Sequence, residues 1–193
     1  LLKCISLIQV NFPDFIEMIN NELETHVRKE DCLEKVLNQS MEYSLMNGAK
    51  RLRPSIVLAT YKIFKEDIER SMPYAIAIEM IHNFSLIHDD LPGIDNDDFR
   101  RGRPTNHKKF NEATAILAGD GLLNNAYMVI SKDIENTQDI EEIKRKVKIF
   151  KEFTIAVDRM IVGEYVDTEF EKKEISKEGL EYIHNNKTGA LWK

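Results

Sequence analysis

The chain has few cysteines, few helix-breaking residues and no apolar run long enough to cross a membrane. Its two cysteines, Cys4 and Cys32, have neither metal-ligand spacing nor the pattern of a disulfide framework. A reducing compartment is therefore expected, and the predicted location is cytoplasmic. Residues 1–10 are largely apolar, but so short a segment cannot span a bilayer, and no small-residue cleavage site follows it. We expect neither a secreted disulfide-rich protein nor stable membrane insertion.

An excess of basic charge is also absent. The 193 residues include 27 basic and 33 acidic side chains, which gives a formal charge of -6. Such a balance is a poor basis for binding nucleic acid or an anionic membrane surface, and the sequence contains no RNA- or DNA-binding motif. We expect no nucleic-acid partner.

Glycine and proline are scarce, with 8 and 5 residues, and long segments repeat apolar residues at the helical period. Asp31 and Glu34 have the spacing of a capping box. No segment alternates convincingly as a strand would, and residues 133–139 are expected to form a loop. The candidate N-caps are Ser71, Asn111 and Ser176, and the candidate C-terminal cap is Gly48. The sequence therefore predicts an all-α fold, with helices over residues 12–27, to Met46, 54–64, 71–90, 111–132, 140–171 and from Ser176 onward.

The sharpest feature is an acidic cluster in residues 89–98. Five of these ten residues are aspartates, namely Asp89, Asp90, Asp95, Asp97 and Asp98. Two carboxylates about 4 Å apart repel each other by ~4 kcal/mol at an effective dielectric constant near 20. Converging carboxylates therefore need a cation, whereas diverging ones can splay into water. A solvated acidic loop at a helix end remains the plain alternative.

Three observations favour a metal–phosphate site. The cluster follows the apolar segment 72–87, which predicts a buried helix, and Asp89 shares a face of that helix with His82. A basic run follows, made of Arg100, Arg101, Arg103, Lys108 and Lys109. Guanidinium groups beside carboxylates suit a phosphate that is bridged by metal on one side and gripped by cations on the other. Mg²⁺ is the expected cofactor because it shares oxygen ligands with substrate phosphates.

Several ordered motifs then indicate a family. Residues 85–98, SLIHDDLPGIDNDD, continue into RRGRPT at 100–105 and resemble the first aspartate-rich motif of trans-prenyl diphosphate synthases. Residues 48–54, GAKRLRP, resemble the GGKRxRP motif, with Ala49 in place of the second glycine. Further similar motifs lie at residues 79–82, 163–167 and 187–191, with Glu164 where glutamine is usual. Ordered motifs over residues 48–191 are far more specific than one match.

This resemblance implies an isoprenoid synthase-type helical bundle around a deep central cavity, usually in a homodimer. The implied substrates are isopentenyl diphosphate and an allylic diphosphate, dimethylallyl or geranyl. The implied reaction is Mg²⁺-assisted ionisation followed by head-to-tail coupling, so no side-chain nucleophile is required. The closest likeness is to bacterial-type farnesyl diphosphate synthases, since Pro92 and Gly93 resemble their two-residue insertion.

The resemblance also implies roles for individual residues. Asp89 and Asp95 would bind Mg²⁺ that holds the allylic diphosphate. Asp90, Arg100 and Lys187 would complete the catalytic set, with Arg100 also touching that diphosphate. Residues expected to bind isopentenyl diphosphate are Lys50, Arg53, His82 and Arg101, and those expected on the allylic side are Lys187 and Thr188. Taken alone, Lys50 and Arg53 also fit a solvated basic turn, and His82 also fits a core histidine.

Product length is expected to depend on Phe84 and Ser85, which precede Asp89 by about one helical turn. In this family a bulky aromatic side chain at the first position resembles a floor that stops growth at farnesyl length. Farnesyl diphosphate is therefore the expected product. A geranylgeranyl or other short-chain product remains the alternative, because Phe84 also fits a simple core position.

One family feature is not found in the sequence. The second aspartate-rich motif belongs well downstream of residues 187–191, and the residues after Thr188 do not supply it. We expect residues 1–193 to form a single domain lacking its C-terminal part, inactive or poorly folded alone. Two rivals stay open: a class I terpene cyclase, which needs no isopentenyl site, and a non-catalytic partner subunit.

Overall fold

The computed structural model describes residues 2–27, 32–171 and 173–192, with the side chains of residues 2–11 and 27 excepted. The all-α prediction is confirmed. The helices are α1 Leu2–Val27, α2 Lys35–Leu45, α3 Leu52–Lys62, α4 Met72–Asp89, α5 Asn106–Lys109, α6 Glu112–Glu135, α7 Ile140–Phe170 and α8 Lys177–Ile183. Short 3₁₀ segments occupy Ile68–Ser71 and Gly189–Trp192, and a π-helical segment occupies His184–Thr188.

The prediction of no strand was wrong at one place. Strands β1 (Phe99–Arg100) and β2 (Arg103–Pro104) form a short antiparallel hairpin. Its two turn residues, Arg101 and Gly102, have φ of 53° and 75°. Two consecutive positive φ values are the pattern of a type I′ turn, whose twist matches that of the paired strands. Strands of two residues are too short to show an alternating pattern in sequence.

The chain divides into two compact units, Leu1–Ser131 and Lys132–Lys193. In the first unit α1, α2, α3 and α4 pack against one another. The core forms because α4 is apolar on nearly all sides, so most of its side chains leave water on folding. The fully buried side chains of this unit include Phe15, Ile19, Leu23, Leu45, Leu58, Ile76, Met80, Ile81, Leu122 and Ile130.

The link between α2 and α3 follows its turn residues. Gly48 has φ of 56°, and its N–H donates to the carbonyl oxygen of Met46 at 2.9 Å, which ends α2 as expected. Pro54 lies in the first turn of α3, where a missing N–H costs no helical hydrogen bond. The chain therefore turns tightly, and residues 50–53 lie at the start of α3.

The predicted caps have mixed outcomes. Asn111 accepts from the backbone N–H of Thr114 at 2.8 Å, and Ser176 accepts from that of Gly179 at 3.1 Å, as expected. Ser71 is the N-cap residue of α4 as expected, but it makes no side-chain cap, because its hydroxyl donates to the Ile68 carbonyl at 2.7 Å instead. Glu34 is the N-cap residue of α2 without a side-chain cap, and Asp31 lies outside the described residues.

Helix α6 is longer than predicted and ends at Glu135, so the expected loop over residues 133–139 begins only after it. Polarity alone suggested a loop there, yet Asp133 and Thr137 gain partners that hold the helix end in place. The ammonium of Lys146 donates to the Asp133 carboxylate and to the Thr137 hydroxyl, each at 2.8 Å.

In the second unit, α7 packs against α8 and the segments that follow it. Gly163 of α7 makes this approach possible, because a methyl group there would overlap the backbone at Asn186 and Lys187. The buried apolar side chains of this unit are Val157, Met160, Ile183, Ala190 and Leu191. Among the described helices of the whole chain, none combines the length and apolarity that a bilayer crossing requires.

Candidate active site

Helix α4 ends at two aspartates that share one arginine. The Nε of Arg100 donates to the two Asp90 oxygens at 2.7 and 2.9 Å, and its Nη2 lies 3.0 Å from Asp89 Oδ2. This fork matches the planar guanidinium to the carboxylates and offsets their repulsion. The Asp90 side chain is 4% exposed and that of Asp89 is 14% exposed. The acidic and basic residues that lie close together in the sequence therefore contact each other directly in the structure.

Burial and the neighbouring charges have opposite effects on the pKa values of Asp90 and Arg100. Burial raises the pKa of Asp90, the hydrogen bond and charge of Arg100 oppose that rise, and Asp89 and Asp97 add to it. For Arg100, burial works to lower the pKa, but the bond to Asp90 and the nearby carboxylates raise it overall. One guanidinium carries a single positive charge but contacts two carboxylates, so net negative charge remains. The cluster therefore still attracts a further cation.

The hairpin that carries Arg100 is fastened to α2. The Tyr43 hydroxyl donates to the Pro104 carbonyl at 2.8 Å, and the Arg103 guanidinium lies 4.4 Å from the centre of the Tyr43 ring. The Asn106 amide donates to the Ser40 carbonyl at 2.9 Å and accepts from the Ser40 hydroxyl at 2.7 Å. These contacts fix the hairpin, and with it the positions of Arg100 and Arg101.

Asp89 and Asp95 are the residues proposed as metal ligands. Mg²⁺ is commonly bound by one or two carboxylates together with a substrate phosphate, and these two side chains could supply the carboxylates. The backbone N–H of Asp95 donates to the Asp89 carbonyl at 3.0 Å, so the loop folds back onto the helix end. The Asp95 side chain is exposed and can reach solvent. In the described residues no three histidine, cysteine or acidic side chains form a closed metal cage.

A second cluster is cationic. The Arg53 Nη1 lies 3.4 Å from His82 Nε2, and both side chains are half-buried. Burial first, then the charges of Arg53, Arg101, Arg100 and Arg51, lowers the pKa of His82 to about 3. His82 is therefore neutral near pH 7. Burial also lowers the pKa values of Arg53 and Arg101. Cations gathered around the half-buried Arg53 and His82, with Arg101 exposed beside them, favour an anion.

One residue that sequence reasoning missed organises this cluster. Arg51, at a φ of 51°, donates to Glu79 Oε1 at 2.7 Å, to the Leu45 carbonyl at 2.7 Å and to Asn20 Oδ1 at 2.9 Å. It thereby joins α1, the end of α2 and α4. The signal was a glutamate inside an apolar helix, since a buried carboxylate needs a cationic partner.

The remaining predicted residues of the first unit have different settings. Lys50 is exposed, beside the start of α3. Phe84 is buried and meets the ring of His88 edge to face, with centroids 5.0 Å apart. The half-buried Ser85 donates its hydroxyl to the His82 carbonyl at 2.9 Å. A cavity of about 30 Å³ borders Asn83, Asp90, Arg100 and Arg101, among others. The deep central cavity stays a prediction.

In the second unit, two of the recognised motifs meet. Lys187 lies in the π-helical segment, and its ammonium is 3.0 Å from Glu164 Oε1 and 2.7 Å from Asp167 Oδ2. Single π-helical turns are rare and occur often at functional sites. Thr188 is exposed at the end of that segment. Thus the lysine predicted to bind substrate is held by two carboxylates from α7.

Known proteins resemble this chain along most of its length. A family model described as Polyprenyl synthetase matches residues 34–193. Farnesyl diphosphate synthase of Bacillus subtilis (strain 168) is 43% identical over 175 residues, which cover 90% of this chain and 58% of that protein. Farnesyl diphosphate synthase of Micrococcus luteus is 43% identical over 178 residues, 92% of this chain and 59% of that protein.

A solved structure supports the same likeness. The apo structure of an FPP/GFPP synthase from Zymomonas mobilis superposes with a TM-score of 0.88 at 32% identity, covering 98% of this chain and 68% of that one. The present chain spans less than two thirds of the length of the Bacillus subtilis and Micrococcus luteus proteins.

Proposed function

Because the chain belongs to the polyprenyl synthetase family, we propose that it is the greater part of a short-chain trans-prenyl diphosphate synthase. The proposed enzyme condenses isopentenyl diphosphate with an allylic diphosphate, dimethylallyl or geranyl, and makes farnesyl diphosphate. The observation that carries the proposal is the pair of opposite clusters in the first unit. Asp89 and Asp90 end α4, and Arg53, Arg101 and neutral His82 form an anion-attracting group beside Arg100.

Each cluster suits one of the two substrates. A diphosphate bound at this cluster gains charge-assisted hydrogen bonds from Arg53 and Arg101. Neutral His82 can add an uncharged N–H donor. We assign isopentenyl diphosphate to this cluster. The carboxylate cluster needs a cation before it can hold a second anion, and we assign the allylic diphosphate to it, with Arg100 as a direct contact.

Asp89 and Asp95 are the residues that would hold Mg²⁺. When bound, the metal would neutralise the allylic diphosphate and make it a better leaving group. The protein's own share of the chemistry is positioning. The arginines hold the two diphosphates, and the apolar α4 keeps water from the allylic cation that forms when the C–O bond breaks. The double bond of isopentenyl diphosphate then attacks that cation, and a proton is lost to the released diphosphate.

The proposed product length rests on Phe84. Its ring is buried five residues before Asp89, about one turn deeper along α4, where it would meet the end of a growing prenyl chain. We propose that this ring limits growth to farnesyl diphosphate. A geranylgeranyl or other short-chain product is the alternative that a mobile Phe84 ring would allow.

Several finer assignments stay predictions that rest on the family motifs. They are Mg²⁺ as the metal, a homodimer, a cytoplasmic location, and substrate contacts by Lys50, Ser85, Lys187 and Thr188. Lys187 has a specific setting in its support, since it is held between Glu164 and Asp167 rather than loose on a helix surface.

Two rivals predict different outcomes. A terpene cyclase has no use for the cluster of Arg53, His82 and Arg101, which is the feature that counts against it. A non-catalytic partner subunit would have no reason to preserve the fork of Arg100 with Asp89 and Asp90. The full-length protein should be incubated with geranyl diphosphate, labelled isopentenyl diphosphate and Mg²⁺. Labelled farnesyl diphosphate supports the proposal, a hydrocarbon indicates a cyclase, and binding without conversion indicates a partner subunit.

Variants then test the assignment of substrates to clusters. Arg101→Gln should raise the KM for isopentenyl diphosphate roughly tenfold or more, because a hydrogen bond to a charged group is worth about 1.5–3 kcal/mol. The KM for geranyl diphosphate should change much less. Lys109→Gln, which removes an exposed cation nearby in sequence, is the matched control. Equal effects of Arg101→Gln on both KM values would refute the assignment.

A further inference from the structure

Phe84 is held in place by a contact chain that ends on α6. Its ring meets the His88 ring edge to face, with centroids 5.0 Å apart and planes at 79°. The two residues are four apart on α4 and so share a helix face. On the other side, His88 Nε2 lies 3.0 Å from the Ile116 carbonyl oxygen of α6. An imidazole that carries a proton on Nε2 can donate this bond. The histidine ring is thus fixed by α6 and in turn borders Phe84.

Gly119 leaves room for the histidine. A methyl group at this position would overlap the His88 ring, at Nε2, Cδ2 and Cε1. The atoms it would meet belong to a rigid ring, which cannot bend away as a flexible side chain can. With the Phe84 ring beyond it, the imidazole has little freedom to retreat without moving its neighbour. The sequence of contacts is therefore Gly119, His88, Phe84, running from α6 to α4.

We propose that His88, seated on Gly119, is a positioning residue that fixes the Phe84 ring and so sets the length of the product. This inference deepens the proposed function and rests on it, because it requires Phe84 to be the floor of the prenyl site. Phe84 alone offers a ring of the right size, but a free ring can rotate and admit a longer chain. The contact with His88 removes that freedom. Product length then depends on a glycine of α6 as well as on α4.

The test compares product ratios in four variants of the full-length protein. The measurement is the ratio of geranylgeranyl to farnesyl diphosphate made from geranyl diphosphate, labelled isopentenyl diphosphate and Mg²⁺. His88→Ala removes the support of the Phe84 ring, and Gly119→Ala displaces it. In each, the ratio should rise roughly tenfold or more, equivalent to about 1.4 kcal/mol between the two outcomes. A ratio is used because His88 adjoins Asp89, so the overall rate is expected to fall.

Gly121→Ala is the matched control. It adds the same methyl group to the same helix, where it would meet the Met41 sulfur at 2.7 Å, at the flexible end of a side chain of α2. Its product ratio should equal that of the wild type. His88→Ala leaves a cavity beside Gly119, whereas Gly119→Ala adds a methyl group that overlaps the His88 ring. The two variants would therefore be destabilised by different causes. If one does not fold, the other decides.

Phe84→Ala separates this inference from the proposed function. If Phe84→Ala lengthens the product while the ratio in His88→Ala or Gly119→Ala stays at the wild-type value, the positioning role is wrong and the floor stands. If Phe84→Ala still gives farnesyl diphosphate alone, the floor itself is wrong, and the positioning role falls with it. Longer products in all three variants, with Gly121→Ala unchanged, support both.

Discussion

Arg51 and Glu79 form an ion pair with an N–O distance of 2.7 Å, and both side chains are only 2% exposed. The pair joins the residue before α3 to the middle of α4. Arg51 also donates to the Leu45 carbonyl at the end of α2, which satisfies an acceptor that the helix leaves open. Because Arg53 and His82 lie on the two elements that this pair connects, its geometry sets the distance between them. The pair is a scaffold for the cationic cluster.

Removal of Arg51 should therefore lower the free energy of unfolding more than the loss of an exposed ion pair does. Arg51→Met leaves Glu79 buried without a cation, and the free energy of unfolding should fall by about 3–5 kcal/mol. The measurement is urea unfolding at neutral pH. Lys144→Met is the control, because Lys144 and Glu141 form an exposed pair whose loss should cost at most about 1 kcal/mol. Similar losses in both variants would show that burial of the Arg51 pair has no special weight.

The low pKa of His82 predicts acid sensitivity. The folded-state pKa is about 3 and the ordinary value is 6.5, so below pH 6.5 the unfolded chain binds a proton that the folded chain refuses. The neutral His82 therefore does not reduce the free energy of unfolding above pH 6.5, and that free energy falls progressively as the pH decreases from 6.5 towards 3. Between about pH 7 and about pH 5.5, the wild type should lose roughly 1 kcal/mol more than His82→Gln.

The exposed His184 provides the comparison for this measurement. His184→Gln, which removes an exposed histidine, serves as the control for the histidine-to-glutamine substitution itself. Parallel curves for the wild type and His82→Gln would mean that folding does not lower the pKa of His82, contrary to its burial among four arginines.

Arg100 should compete with Mg²⁺ for Asp89. It occupies both carboxylates of the α4 end, so Arg100→Gln leaves Asp89 and the buried Asp90 without their cation. Without metal, the variant should be less stable by about 2 kcal/mol, the order of a hydrogen bond to a charged group. Mg²⁺ alone should bind the variant more tightly than the wild type in calorimetry, and should raise its melting temperature more.

Lys108→Gln controls for the simple loss of a positive charge, because Lys108 pairs with the exposed Asp98 at 2.8 Å. Its Mg²⁺ affinity in calorimetry should match that of the wild type. Equal or weaker Mg²⁺ binding by Arg100→Gln would contradict the competition.

Gly163→Ala should destabilise the second unit. The added methyl group would come within 2.7 Å of the Asn186 carbonyl carbon, and backbone atoms cannot rotate aside. Helix α7 and the π-helical segment would have to separate, at a cost of about 1–3 kcal/mol measured by urea unfolding of the full-length protein. In Gly179→Ala the methyl group meets the side chain of Ile175 instead, which can adjust. A larger loss in Gly179→Ala than in Gly163→Ala would contradict this account.

The helices were predictable because their signals are local. Apolar periodicity, Gly48, Pro54 and the caps at Asn111 and Ser176 act within a few residues, so their effects can be read without the fold. Errors arose where a contact other than the expected one decided the outcome. The Ser71 hydroxyl donates to the Ile68 carbonyl, three residues earlier in the 3₁₀ segment, and Lys146 from α7 stabilises the end of α6. The first partner is local but was not indicated by the cap pattern, whereas the second comes from another helix and depends on the fold.

The sequence by itself determined the helical class and the order of the acidic and basic motifs, because both depend on residue type and spacing. The tertiary structure decided which charges meet. Arg51 rather than Lys50 is buried against Glu79, Arg100 spans Asp89 and Asp90, and Lys187 pairs with residues from α7. Charge interactions depend on distance and on exclusion of water. Those two quantities are set by how the helices pack, which no spacing along the chain specifies.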